Sequence, residues 1–342
     1  MDSTEITVTS TQKNARRAYC AVGLGVFALW IVTSCVRVLI RLFVLPAFPE
    51  TATAVIANGG WMWALTSMLP MYLFGFPAAY LVMRFAPKHK IEEKKFGKRF
   101  VVTPFVALFL GIGGSLVGLT IEFILNFVLG MTSESAVQTM MLSGNSLVMF
   151  IFSVLVAPVI EELLFRKFII DRTHIYGGAL SVVVSAVMFG LFHGNIKQLF
   201  MATAIGLLFG YVYLKTGRIG YTILLHALVN ALGNIMAIFA REVLPILTEM
   251  GADMDVDLLF AELPKIIGLF LYESLYYDMV VAGLVLFIIF VRKVSFEKEP
   301  LSLPGGVAVK SVILNVGMIL FLLICTFEII SSIVPMTIPL LF

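Results

Sequence analysis

The chain has 342 residues, of which 60% are hydrophobic and only 13% are charged, and its formal net charge is +3. Soluble proteins have roughly 45–50% apolar and about 25% charged residues, and a mean hydropathy of +1.01 is too high for one water-soluble core. The composition therefore excludes a soluble enzyme, a secreted disulfide scaffold and a disordered chain. It predicts an all-α, polytopic protein integral to a membrane, and the small net charge gives no sign of nucleic-acid binding.

Long apolar segments predict helices that cross the bilayer, since a span needs about 20 mostly apolar residues. The candidates in chain order are 20–45, 61–83, 101–129, 147–170, 177–194, 197–215, 219–240, 266–291 and 308–334. Glu273 and Asp278 interrupt the eighth candidate. We therefore expect a bundle of about eight or nine transmembrane helices.

The charges between these segments predict the topology. The densest basic stretch runs from Arg84 to Arg99, and basic loops favour the cytoplasmic side. Counting from this loop places the N-terminus in the cytoplasm. The predicted parts are a cytoplasmic polar N-terminus (1–19), peripheral helices (20–146), a core (147–240), an acidic external loop (241–265) and closing helices (266–342).

The predicted span 147–170 contains charges that are costly in lipid. A central carboxylate costs about 2.5–3.5 kcal/mol by insertion scales, so such groups are functional candidates. Glu162 and Arg166 are four residues apart and share a helix face, which favours an ion pair. Glu161 points about 100° away and is expected to serve a different neighbour. Pro158 is expected to kink the helix one turn earlier.

Histidine is scarce, with four residues in the chain. His89 lies in the basic loop and His174 in a predicted turn, so neither is a site candidate. His193 and His226 lie in predicted spans, and Asn230 follows His226 by four residues on the same helix face. These three polar groups are therefore candidates for one site with the carboxylates.

The three polar motifs together resemble a known family. Glu161-Glu162-Leu163-Leu164-Phe165-Arg166, then Phe189 to His193, then His226 to Asn230 are similar in order and spacing to the signature of the CPBP (CAAX protease and bacteriocin-processing, or Abi) intramembrane endopeptidases. This is the type II CAAX prenyl endopeptidase clan. The resemblance covers roughly 145–240 and implies that the core 147–240 is a catalytic core whose helices enclose a polar cavity.

Peptide hydrolysis needs an activated water and donors for the developing oxyanion. The residues permit Glu161 as the general base and His193 as a second group that holds the water. His226 and Asn230 can donate to the oxyanion. The resemblance implies the same four catalytic roles, with Glu162 and Arg166 as supporting residues.

Two histidines and a carboxylate can also form a catalytic zinc site. The His-Glu-x-x-His helix typical of zinc proteases is missing from the sequence. We therefore expect no cofactor and no metal ligands, with zinc as the less favoured alternative.

The leading functional prediction is an intramembrane endopeptidase whose partners are the lipid bilayer and a membrane-associated or lipidated peptide or protein. One alternative is a non-catalytic scaffold or immunity protein of the same fold, and another is a proton-coupled transporter in which the same groups relay protons. The chain shows no inverted repeat and no paired broken helices, which counts against the transporter.

The depths of the candidate residues present a difficulty for one shared site. At about 1.5 Å per residue, straight helices place Glu161 about 16 Å, His226 about 10 Å and His193 about 25 Å from their cytoplasmic ends. Tilt, the kink at Pro158 and a short or displaced helix 177–194 are expected to bring these groups together.

Overall fold

A computed structural model of the protein describes residues 3–47, 61–130, 145–249, 256–299 and 301–333. These residues form helices and no strand, as the all-α class predicts. The helices are α1 (Ser3–Leu39), α2 (Trp61–Met83), α3 (Thr103–Leu129), α4 (Ser146–Tyr176), α5 (Gly178–Phe192), α6 (Ile196–Thr216), α7 (Ile219–Glu249), α8 (Val256–Val291), α9 (Gly305–Ile313) and α10 (Val316–Ile333).

Eight of the described helices are long and apolar enough to cross a membrane, which confirms an integral, multi-pass protein. The prediction of a full span at 177–194 is wrong. Helix α5 has 15 residues, which at about 1.5 Å per residue gives about 22 Å, less than the roughly 30 Å of a hydrocarbon core. Glycines with positive φ at Gly177 and Gly194 end the helix early on both sides.

Two further boundaries differ from the sequence prediction. Residues 3–19 are not a separate polar segment, because α1 is continuous from Ser3 to Leu39 and its Ala15, Ala18 and Tyr19 side chains are buried. The predicted acidic loop 241–265 is also mostly helical, since α7 continues to Glu249 and α8 starts at Val256. Residues 250–255 between them lie outside the described part, and the side of the membrane on which they lie stays a prediction.

The last predicted span, 308–334, is divided into α9 and α10 at Asn315. The Asn315 Oδ1 atom accepts a hydrogen bond from the Met318 backbone N–H at 2.9 Å. Its Nδ2 group donates to the carbonyl oxygens of Ser311 and Val312. One side chain therefore satisfies the backbone groups that the break exposes.

Helix α6 lies in the centre of the bundle, between α3 and α5. An added Cβ at Gly114 or Gly118 of α3 would lie 2.6 and 2.7 Å from backbone atoms of α6. Gly190 of α5 similarly faces Thr203, so the backbones approach closely on both sides. Gly113 faces open space and therefore takes no part in this close packing.

Candidate active site

Helices α4 and α5 form an antiparallel hairpin that places two candidate residues at the same height. Glu161 lies 16 residues before Gly177, and His193 lies 16 residues after it. The Thr173 and Ser181 hydroxyls are hydrogen-bonded across the base of the hairpin at 2.6 Å. The sequence analysis placed Glu161 and His193 at different depths because it took the helix of Glu161 to end earlier. Helix α4 continues to Tyr176, and this extension removes the difference in depth.

Helix α4 contains two π-helical turns, Ile151–Val156 and Leu163–Phe168. In π geometry the N–H of residue 158 would bond to the carbonyl of Ser153, five residues earlier. Pro158 has no N–H group, so this carbonyl needs another donor. The Asn230 Nδ2 group of α7 supplies it at 2.7 Å. The proline therefore helps to fix the position of Asn230, in addition to the backbone change expected from the sequence.

Glu162 and Arg166 form a fully buried ion pair, as their spacing predicts. Both side chains are 0% exposed, and the Arg166 Nε atom lies 3.1 Å from the Glu162 Oε2 atom. The Arg166 Nη1 group donates to Ser185 Oγ at 3.0 Å, and Ser185 donates to the Phe165 carbonyl at 2.6 Å. The guanidinium carbon lies 4.7 Å from the centre of the Phe189 ring. These contacts tie the carboxylate to α5.

His226 of α7 lies between the two neighbouring carboxylates. Its Nδ1 atom is 3.0 Å from the Glu162 Oε1 atom, and its Nε2 atom is 3.8 Å from the Glu161 Oε2 atom. The expectation that Glu161 and Glu162 serve different neighbours is therefore wrong, because both reach opposite sides of one imidazole ring. Their helix positions differ by about 100°, and the ring fills the angle between them.

His193 follows the last residue of α5, and its orientation is fixed by one backbone contact. Its Nδ1 atom lies 2.8 Å from the Phe189 carbonyl oxygen. A carbonyl oxygen only accepts hydrogen bonds, so Nδ1 carries the proton in this contact. In the neutral ring the Nε2 atom then keeps its lone pair and can accept a hydrogen bond.

A cavity of about 250 Å³ brings the predicted catalytic residues together. Glu161, His193, His226 and Asn230 all line it, whereas Glu162 and Arg166 lie behind its wall. The other lining residues are mostly apolar: Trp63, Met68, Met71, Tyr72, Met149, Phe152, Ser153, Ala157, Phe189, Gln198, Met201, Ala202, Ile205, Phe209 and Val229. The four predicted catalytic residues thus come from α4, the end of α5 and α7 and meet in one mostly apolar chamber.

Sequence reasoning missed three polar residues of the cavity wall, namely Tyr72, Ser153 and Gln198. The Gln198 Oε1 atom accepts from Asn195 Nδ2 at 2.6 Å, so its own amide N–H groups remain as donors. A single polar residue in an apolar helix forms no regularly spaced pattern with other polar residues, so the sequence does not mark it as a site residue. The motif spacing therefore identified the six predicted residues and left these three out.

The two histidines outside the motifs lie away from the cavity. The His174 Nε2 atom is 3.3 Å from the His89 carbonyl oxygen, and the His174 Nδ1 atom is 3.9 Å from the Glu299 Oε1 atom. Partial burial, and then the neighbouring His174 ring, lower the pKa of His89. Both histidines contact loop segments and lie outside the catalytic cavity.

The donor set can be compared with the requirements of a metal. A catalytic zinc ion takes three protein ligands from His, Cys, Asp or Glu. Within the described ranges, no three such side chains are arranged to hold one ion. The expectation of a site without a metal stays a prediction.

The fold and the site define a multi-pass membrane protein whose helices enclose a cavity lined by glutamate, histidine and asparagine. Residues 143–232 match the profile of the family "Type II CAAX prenyl endopeptidase Rce1-like". This segment is similar to that family, and it contains all six predicted site residues.

Two curated proteins are similar to part of this chain. "Putative membrane peptidase YdiL" of Bacillus subtilis (strain 168) is 34% identical over 137 residues, which cover 39% of this chain and 52% of that protein. "Membrane-embedded CAAX protease MroQ" of Staphylococcus aureus (strain USA300) is 27% identical over 122 residues, covering 33% and 49%. The chain thus spans about half the length of these relatives. No solved structure matches significantly.

Proposed function

We propose that the protein is an intramembrane endopeptidase that hydrolyses a peptide bond of a membrane-associated or lipidated peptide or protein. The observation that carries this proposal is the convergence of Glu161, His193, His226 and Asn230 on one cavity. The similarity to the Rce1-like family and the names of the two relatives support the same activity.

In the proposed reaction, Glu161 accepts a proton from a water molecule as the water attacks the scissile carbonyl carbon. The His193 Nε2 atom accepts the second hydrogen bond of this water and orients it. Glu161 then passes the proton to the leaving amine when the C–N bond breaks, so the proton balance closes without an outside acid. Acid–base groups of this kind contribute about 10²–10⁴ in rate.

The developing oxyanion needs donors on the other side of the cavity. Asn230 uses one amide hydrogen for the Ser153 carbonyl, which leaves a second for the oxyanion. The Nδ1 atom of His226 is held by Glu162, so its Nε2 atom faces the reaction and donates in the imidazolium form. Each such donor is worth about 10²–10³ in rate.

The cavity wall also indicates the substrate class. Among the described residues that line it are four methionines and five aromatic residues, and none of the described lining residues is a lysine or arginine. Flexible methionines adapt to irregular apolar groups, so residues beside the scissile bond are apolar, or an attached lipid lies there. The proposed partners are this substrate and the bilayer, with no nucleic acid.

We propose that no metal takes part, because Glu161 can supply the base and no three His, Cys, Asp or Glu side chains of the described residues are arranged as ligands of one ion. Purified activity should then be unchanged after prolonged incubation with a strong chelator and removal of free ions. Loss of activity that zinc restores would contradict the metal-independent scheme while leaving the peptidase assignment intact.

The decisive experiment replaces Glu161 in a cleavage assay with purified protein and a quenched fluorescent peptide. Glu161→Gln should lower the rate by about 10²–10⁴, and Glu161→Gln with Glu162→Gln should be inactive. Glu273→Gln is the matched control, since this carboxylate lies in α8 and does not line the cavity. A fully active double variant would refute the proposed function.

A further inference from the structure

A second cavity lies where α2, α4 and α6 end, on the side of the basic segment that follows α2. Its volume is about 580 Å³, within the roughly 300–1,000 Å³ of small-molecule sites. It shares α2, α4 and α6 with the catalytic cavity and no lining residue. It is therefore a separate site, and the peptidase chemistry leaves it without a role.

The cavity is strongly basic. Its basic lining residues are Arg84, Lys88, Lys90, Lys167 and Arg172, and its acidic ones are Glu93 and Asp171.

Both acidic groups already have a hydrogen-bonding or ionic partner. The Asp171 Oδ1 atom accepts from the Tyr213 hydroxyl at 2.6 Å, and its Oδ2 atom lies 3.7 Å from Lys167 Nζ. Glu93 lies 3.5 Å from Arg218 Nε. Asp171 therefore offsets the charge of Lys167, and Glu93 pairs with a residue outside the lining, so the cavity keeps an excess of positive charge.

Arg172 gives this site a buried cation. The residue is 5% exposed, and its Nε and Nη1 groups donate to the carbonyl oxygens of Met83 at 2.7 Å and Phe168 at 2.9 Å. Among the described residues no carboxylate lies within 4 Å of its guanidinium nitrogens, and its electrostatic interaction with a carboxylate is with the neighbouring Asp171. Dipoles of carbonyl groups orient a guanidinium but do not neutralise it, and a buried charge favours an anionic partner.

The wall formed by residues 87–96 is held in place although it is not helical. The His89 backbone N–H donates to the Asp171 carbonyl at 2.6 Å, and the Lys94 N–H donates to the Thr216 carbonyl at 2.9 Å. At Gly217, φ is +62° and an added Cβ would lie 2.9 Å from the Ile91 carbonyl oxygen. The backbone that carries the basic side chains of this segment is therefore held in place by hydrogen bonds and close packing.

The rim of the cavity indicates that the anion comes from a lipid. Phe85 is 79% exposed, and Tyr80 and Leu81 of the last turn of α2 are 47% and 49% exposed. Large apolar groups beside Arg84, at the end of a membrane span, are typical of the level where acyl chains meet headgroups. Basic pockets between helix ends at this level suit phosphate headgroups.

We propose that this cavity binds the phosphate headgroup of an anionic phospholipid, with the acyl chains along the exposed face of α2. Because the lipid would contact Arg84 beyond the end of α2 and Lys167 and Arg172 of α4, it joins the two helices that also form one wall of the catalytic cavity. Bound lipid therefore stabilises the folded protein, whether or not the proposed peptidase activity is correct.

The test uses the full chain in neutral detergent with added phosphatidylglycerol, phosphatidylcholine or inorganic phosphate. The readouts are the thermal unfolding midpoint and the bound lipid detected by native mass spectrometry. The pocket variant combines Arg84→Gln, Lys88→Gln and Lys90→Gln; all three residues are exposed, so we expect the fold to stay intact. The control variant combines Lys95→Gln, Lys98→Gln and Arg99→Gln, which are exposed in the same segment and do not line the cavity.

Phosphatidylglycerol should raise the midpoint of the wild type and of the control variant, with one retained lipid per chain. The pocket variant should bind it at least about tenfold more weakly, since each basic residue near a lipid surface contributes about 1 kcal/mol. An equal response to phosphatidylcholine, an equal effect of inorganic phosphate alone, or an equal loss in the control variant would each overturn the proposal.

Discussion

Replacing Arg166 tests whether the buried ion pair supports the site as the structure indicates. Arg166→Met leaves the fully buried Glu162 carboxylate with His226 Nδ1 at 3.0 Å as its remaining close partner. Removing one member of a buried ion pair typically costs about 3–5 kcal/mol, because the other charge stays buried and uncompensated. We therefore expect the free energy of unfolding to fall by about this amount.

A double-mutant cycle separates the pair from the packing of each side chain. In Glu162→Gln with Arg166→Met neither charge remains, so the loss should be smaller than the sum of the two single losses. We expect a coupling energy of about 2 kcal/mol or more. The assay is a reversible denaturant titration in mixed micelles, monitored by tryptophan fluorescence.

The matched control is Lys215→Met, which breaks a pair with Glu297 at 3.3 Å in which the glutamate side chain is 87% exposed. Exposed pairs contribute about 0–1 kcal/mol, so this change should be small. The reasoning fails if Arg166→Met costs no more than Lys215→Met, or if the cycle is additive.

The remaining predictions concern packing and the two sides of the reaction. Gly190→Ala should cost about 1–3 kcal/mol of stability by forcing α5 from α6, whereas Gly113→Ala, with open space around it, should not destabilise the fold in thermal unfolding. Asn230→Ala should lower the cleavage rate by about 10²–10³ and also destabilise the protein, because the Ser153 carbonyl loses its donor; an unchanged rate contradicts its role. His193→Ala should lower the rate by about 10²–10⁴ with little change in the unfolding midpoint, and a midpoint that falls with the rate would indicate a structural role.

The sequence by itself determined that this protein requires a lipid environment, and it identified most of the charged residues of the site. Apolar content and segment length require a lipid environment, because too few polar residues are available to cover a soluble surface. The i,i+4 spacing placed Glu162 beside Arg166 and His226 above Asn230, since a helix repeats every 3.6 residues. Local periodicity is sufficient for contacts within one helix.

The tertiary structure alone decided how separate helices meet. The extension of α4 to Tyr176 and the early end of α5 at Phe192 bring Glu161 and His193 to one height, and both ends depend on tertiary contacts and positive φ angles. The shared contact of Glu161 and Glu162 with His226 likewise depends on where α7 packs. A sequence pattern specifies the faces of a helix but not the height or rotation of its neighbour, because these follow from close packing of side chains far apart in the chain.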